Sequence, residues 1–446
     1  MRLVIVLLYA VLLAAADAPA AAAAGGFGTP VAVGAGPVVT ATFLAAPVAA
    51  LGAAGDGAIA WAGGGHVSVA RRPPAGAWSA QVVATRADEV RDLQLAVTAA
   101  GDTVLAWTHS YADGRHLPDR LFVATARRGR RFGRALILAS GPRSDAALPR
   151  MALLGDGHVV LVWRKARAPS GGELQLAFLG SDGRFGRSSG TGADGVAPAI
   201  VATSDGGAVV AWATPAGFHA SHALRAARLP TGGDKLGRSF EFSASAVEGA
   251  RLAAGPGNVV IASWASKQRP VGLFAAQLAP RRGAAYAVRS GARAATGPPI
   301  AVGPGGVAVA TFVAATHQPP PPEGGSPGSG QWVATGSAAG ALDSRMELAT
   351  PSLSLSVGPA SPTILPSGEA LVAWSQDRFL AGGRRVADVL VARRPPGATA
   401  FASIEPLGSG DLPRRMPVAL ARFDATVLVA WPAPGKDRGM LVADRR

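Results

Sequence analysis

The chain of 446 residues contains no cysteine. That absence excludes disulfides, thiolate metal sites, a cysteine nucleophile and a lipidated N-terminal cysteine. Small exported domains often need disulfides, whereas a chain of this length buries a large core without them. Lysine is scarce: Lys165, Lys235, Lys267 and Lys436 are four of 43 basic residues. Tyrosine occurs three times, and aromatic residues make up only 6% of the chain. After the first residues no apolar run approaches the ~20 residues of a spanning helix, and no segment keeps a 3.6-residue apolar period. The sequence also lacks a Gly-x-x-x-x-Gly-Lys phosphate loop, a Gly-x-Ser-x-Gly elbow and a His-Glu-x-x-His helix. It has no loop of alternating aspartates closed by a glutamate for calcium. No cofactor and no metal are called for.

What is present begins with an export signal. Arg2 gives a positive start, residues 3–13 are uncharged and apolar, and small residues fill 14–24. That layout is a secretory signal peptide with Ala-x-Ala-like cleavage options from Ala14-Ala15-Ala16 up to Ala24. The expected location is outside the cytoplasm, secreted or associated with the cell surface, with no transmembrane segment in the mature form. Residues 25–36 read as a flexible linker and 37–446 as one domain. The net charge of +15 attracts such a protein to anionic surfaces, although the same charge also keeps copies soluble and apart.

A unit recurs along that domain: a Gly/Asp/Pro-rich turn, a short apolar run, then a tryptophan. The first copy is Gly55-Asp56-Gly57-Ala58-Ile59-Ala60-Trp61, and later copies end at Trp107, Trp163, Trp212, Trp264, Trp374 and Trp431. An eighth, from Gly303, ends at Phe312. The aromatic spacings are 46, 56, 49, 52, 48, 62 and 57 residues, a period that signals repeat architecture. Each unit holds four runs of strand length separated by turn signals. Trp78, Phe132, Phe185, Tyr286 and Phe401 mark the start of the fourth run. The fold class expected is all-β: a β-propeller of eight four-stranded blades, with seven as the alternative if the Phe312 unit is degenerate. The recurring indoles fill the wedges between neighbouring sheets.

The last unit stops after three strands. The run Pro37-Val38-Val39-Thr40-Ala41-Thr42-Phe43-Leu44-Ala45 precedes the first unit without a partner. It is expected to supply the missing fourth strand of the last blade and so close the ring.

Equivalent loops in a ring share a face, and the connections between second and third strands vary most in length. Variable loops on a rigid scaffold are where sites are built. The richest reads Thr108-His109-Ser110-Tyr111-Ala112-Asp113-Gly114-Arg115-His116, and unit four adds Phe218-His219-Ala220-Ser221-His222. The candidate ligand-binding residues are therefore His109, Tyr111, Asp113, Arg115, His116, His219 and His222. On the opposite face third strands end in Ala followed by arginine. Arg71, Arg72, Arg127, Arg128, Arg393 and Arg394 form a candidate anion-binding crown, because the guanidinium fork suits carboxylate, sulfate and phosphate. A charged cap that keeps strand ends soluble explains the same pattern.

In outline the unit resembles the repeats of secreted bacterial β-propeller proteins of the sialidase/BNR-repeat type. Gly155-Asp156-Gly157 and Ser204-Asp205-Gly206-Gly207 keep the Asp-Gly element of that repeat, without its Thr before Trp. A sialidase would need an arginine cluster, a tyrosine nucleophile and an acidic partner. Tyr111 and Tyr286 are the tyrosines beyond the signal segment, and neither falls beside a matching Glu and Arg set. The expected function is non-enzymatic binding of an anionic cell-wall polymer, a glycan or a protein by a monomer. The alternatives are a glycoside hydrolase or lyase using Asp113, Asp119, Glu323 or Asp377, and a purely structural surface component. Arg127-Arg128-Gly129-Arg130-Arg131 lacks the aromatic interleaving of a nucleic-acid reader beyond Phe132, so no sequence-specific nucleic acid partner is expected.

Overall fold

The computed structural model describes residues 26–34, 46–85, 89–110, 120–140, 147–168, 171–180, 182–214, 222–246, 249–266, 268, 271–290, 297–315, 329–348, 357–379, 385–410, 418–433 and 439–445. Within them the regular structure is antiparallel strand, interrupted by two single 3-10 turns at Pro256–Asn258 and Pro304–Gly306. The strands form six four-stranded sheets and one eight-stranded sheet. In the larger sheet units four and five are joined by the single pairing of Ala246 with Ser266. The Phe312 unit is complete, with strands Ile300–Val302, Val307–Ala315, Ser329–Ser337 and Ser344–Glu347.

The turn between first and second strands explains why each unit folds alike. In unit one the Gly52 N–H donates to the Asp56 carbonyl and the Gly55 N–H to the Gly52 carbonyl. The same pair of bonds closes the turns at Thr98, Leu154, Thr203, Gly303 and Leu365. The turn needs a left-handed residue, which is Gly55 at φ 86° and Gly368 at φ 87°, a conformation that costs glycine nothing.

First strands touch one another in sequence. Val48–Leu51 contacts Glu89–Val97, and contacts continue through Ala147–Leu153, Val196–Ala202, Arg251–Ala254, Ile300–Val302, Ser361–Ile364 and Ala419–Phe423, which returns to Val48–Leu51. That cycle is a propeller, with radial sheets wedged about an axis.

The wedges are filled as the periodicity predicts. Trp107 packs on Ala60, Val67 and Val69 of unit one, and Trp163 on Ala106, Leu121 and Val123 of unit two. Trp212, Trp264, Phe312 and Trp374 each lie against the unit before their own, and Trp431 packs with Leu371, Val389 and Val391 of unit seven. Trp61 meets Ala419, Leu428, Ala430 and Val442 of the last unit, so the seam between the two chain ends is built like the rest. These rings are at most 5% exposed. Some add ring contacts, as where Trp107 stacks on Phe122 at 5.4 Å between centroids.

The closing strand is Val31–Val33, which pairs antiparallel with the last strand as Val31 with Val442, Ala32 with Leu441 and Val33 with Met440. This corrects the expectation that residues 37–45 close the last blade. That run lies outside the described residues, and the closing strand falls in the stretch read as a linker. Chain path supplies the reason. Gly34, at φ 75°, turns the chain against the Trp61 ring, where an added Cβ would come within 2.8 Å. Before the strand, the Gly28 N–H donates to the Asp444 carbonyl and the Arg393 guanidinium lies over the Phe27 ring at 5.7 Å. The N-terminal segment thus straps units seven and eight together.

Candidate functional site

The ring has two faces. One carries the Gly–Asp turns and the third-to-fourth connections. The other carries the second-to-third connections and the links between units.

On the turn face most crown arginines are engaged within the ring. Arg72, 7% exposed, bonds the Asp444 carboxylate at 2.9 Å, crossing from unit one to unit eight. Arg445 makes a two-pronged contact with Glu369 of unit seven, at 2.7 and 2.8 Å. Arg128 reaches Asp56 of the preceding unit at 3.0 Å, while its backbone N–H is held by Asp102. Arg393 pairs with Glu405, and Arg71 donates to the carbonyls of Arg127 and Arg130. Arg127 and Arg130 bracket a tight turn. These contacts latch neighbouring blades, pair side chains within a blade or cap turns, so Arg71, Arg72, Arg128 and Arg393 are already engaged by the protein itself. Arg394 is the buried candidate that has no ion pair among the described residues. It is 7% exposed, and its buried Nε, like that of Arg72, has no hydrogen-bond partner among the described residues; Arg72 differs in having the Asp444 carboxylate on its Nη1.

On the loop face Tyr111, Asp113, Arg115, His116 and His219 lie outside the described residues, as do Asp119 and Glu323. His109 is not in a loop. It is the penultimate residue of the strand Thr103–Ser110, 5% exposed, with its ring tilted at 6.3 Å from Phe122. His222 opens the third strand of unit four and its Nδ1 lies 2.6 Å from the Thr214 carbonyl, which requires that nitrogen to donate. The Ala223 N–H donates to the Thr214 hydroxyl beside it, so the imidazole pins the base of the loop. Asp377 lies inside the strand Ala370–Phe379 and is 2% exposed, which corrects its reading as a loop carboxylate. Tyr286 starts the outer strand Tyr286–Ser290. Burial pushes its phenol up to about 12, opposite to the direction that makes a better nucleophile.

The loop face holds a second group of side chains around the axis, on the first strands. In units two, three and four these strands are bulged, between Arg91 and Gln94, Ala147 and Arg150, and Val196 and Ala199. Bulges re-aim side chains. Here Asp92 sits at φ 52° and its carboxylate stands 3.6 Å from the Arg150 guanidinium. Arg150 is opposite Val162, and Arg251 in unit five is opposite Ser263. Both partners immediately precede a seam tryptophan, so the two arginines occupy one level of the inner ring. Val48, Gln94, Ala199, Ser361 and Ala419 stand at that level in other units.

Arg251 is exposed to solvent. Its guanidinium pKa is nevertheless lowered, first by desolvation and then by the positive charge of Arg150. Arg150 and Arg251 are thus like charges at one level of the inner ring, an arrangement in which an anion would be favoured. Arg251 Nε is spent on the Gly297 carbonyl at 3.0 Å, which aims the rest of its fork. Sequence reasoning passed over this pair, although each arginine stands thirteen residues before a seam tryptophan, Trp163 and Trp264.

No protein-family model matches the chain, and no curated protein matches it in sequence. Solved structures of similar chain path include a polysaccharide lyase, an ulvan lyase, with TM-score 0.47, 8% identity, and coverage of 77% of this chain and 89% of that one. A Hadza microbial sialidase has TM-score 0.40 and 12% identity over 90% of this chain and 65% of its own. The Aleuria aurantia lectin has TM-score 0.40 and 12% identity over 70% of this chain and 98% of its own. The assignment of the ring rests on the strand pairing and the seams described above.

Proposed function

We propose that the protein is an exported, eight-bladed propeller that binds an acidic glycan or cell-envelope polymer through the axial region of its loop face. Arg150 and Arg251 carry the recognition. The observation behind the reading is their shared level on the inner ring, with like charges close enough to perturb each other and the Asp92 carboxylate 3.6 Å from one of them. A carboxylate or sulfate placed between them relieves that repulsion and makes charge-assisted hydrogen bonds, each worth roughly 1.5–3 kcal/mol. The turn face contributes less, because Arg72, Arg128, Arg393 and Arg445 there are already paired with carboxylates. An export signal at residues 1–24 would bring the protein to where such polymers occur.

Affinity electrophoresis of the purified protein through gels containing polygalacturonate, dextran sulfate or neutral dextran tests this. Retardation by the two polyanions and not by dextran is expected, and it should weaken steeply with salt. Arg150→Ala with Arg251→Ala should lower polyanion affinity at least tenfold at fixed salt while leaving the melting midpoint nearly unchanged. Retardation equal to that of the parent protein would reject the placement of the site.

A further inference from the structure

We propose that the mouth of the seam between units six and seven, on the turn face, is an oxyanion-binding site built on Arg394, separate from the axial site on the opposite face.

The argument comes from register. Three third strands end in the pattern Ala-x-Arg: Ala70 and Arg72, Ala392 and Arg394, Ala443 and Arg445. Each arginine stands opposite the residue four before a seam tryptophan: Gly57, Ala370 and Val427. The alanine two positions earlier lies in each case in the cluster formed with the preceding unit. Ala70 packs with Ala419 and Leu428, Ala392 with Val309 and Val333, and Ala443 with Leu371 and Val389. Residues two apart on a strand share a face. All three arginines therefore point toward the unit before their own.

Two of them meet a carboxylate there. Arg445 finds Glu369, the residue just before the second strand of unit seven. Arg72 finds Asp444, opposite Leu428 in unit eight. In unit six those same two positions are Val307 and Thr335, the latter opposite Val309. Neither carries a charge, so the counter-ion that completes the other two latches is missing at this seam.

Arg394 has no ion pair among the described residues, and desolvation alone lowers its pKa. Its side chain is more than nine-tenths buried, and a guanidinium held in that way gains from any anion that reaches it. The ligand chemistry is that of the missing side chain: a sulfate, a phosphate or a carboxylate, either free or as one group of a polymer.

The test uses the whole protein and sodium sulfate at constant ionic strength against sodium chloride, in the Arg150→Ala, Arg251→Ala background so that the axial site does not contribute. Sulfate should raise the melting midpoint by about 2–4 °C. Arg394→Gln should abolish the rise. Val307→Glu supplies the carboxylate found at position 369 one unit on. It should raise the midpoint without sulfate and remove most of the sulfate response, a result that does not depend on the glutamine variant folding. Dextran sulfate in place of free sulfate distinguishes the source: an equal or larger rise per sulfate means that polymer-borne groups reach the seam, and no rise means that the site takes small anions only. A sulfate response that persists in both variants, or no response in the background protein at saturating sulfate, overturns the proposal. Failure of the polyanion gels with a preserved Arg394-dependent rise would count against the axial site alone.

Discussion

Trp374→Ala should destabilise the protein by about 3–5 kcal/mol, the range for emptying a buried aromatic position. Trp374 is fully buried, 0% exposed. It packs with Val309, Val333 and Ile364 in the cluster that joins units six and seven. Its indole N–H has only a long contact to Gln376 Oε1, 3.5 Å, so nearly the whole contribution is packing. Because each sheet relies on its neighbours to cover both faces, the loss is not confined to one blade. Urea titration followed by tryptophan fluorescence should show a lower midpoint. A change below about 1 kcal/mol would mean that the ring is not part of a tight seam.

Removal of residues 26–34 should have a comparable effect by another route. It strips the last blade of its outer strand and leaves Met440–Arg445 with an open edge. It also deletes the strap formed by Phe27 and Gly28 on units seven and eight. Val33, 2% exposed, leaves the cluster around Trp61, so the closing seam loses apolar burial as well as ladder bonds. An open hydrophobic edge invites pairing between copies. The expected result is a lower melting midpoint together with concentration-dependent association, both measurable by light scattering during a thermal ramp. An unchanged monomer of parental stability would remove the N-terminal segment from the ring.

The architecture was legible because its signals are local and repeated. The left-handed turn residue, the apolar run and the seam aromatic recur in each unit, and one physical need, covering a sheet face, explains them together. The closing strand was not legible. Val-Val-Thr-Ala-Thr-Phe at 38–43 has better strand propensity than Val31-Ala32-Val33, but propensity is weaker than partner geometry. The segment that lies where Gly34 can turn against Trp61 is the one that pairs. The crown arginines were visible, and their carboxylate partners were not, since Glu369 and Arg445 lie far apart in sequence and meet only across a seam. His109 was read as a loop residue because the strand Thr103–Ser110 runs further than the apolar run that ends at Trp107. The axial arginines needed the period to be carried upstream of the turn, where their equivalents are Val48, Ala199 and Ser361 and leave no motif.

A designed disulfide gives the most direct test of the ring, because the chain has no cysteine of its own. Ala32→Cys with Leu441→Cys joins residues that face each other across the closing pair of strands. If the two ends of the chain share one blade, mild oxidation yields an intramolecular crosslink in high yield, seen as a mobility shift on a denaturing gel that reductant reverses. Placing the first cysteine at Thr42, in the run first expected to close the blade, should give little. No crosslink from the 32–441 pair, efficient crosslinking from the 42–441 pair, or a product that is wholly intermolecular would contradict the closed ring described here.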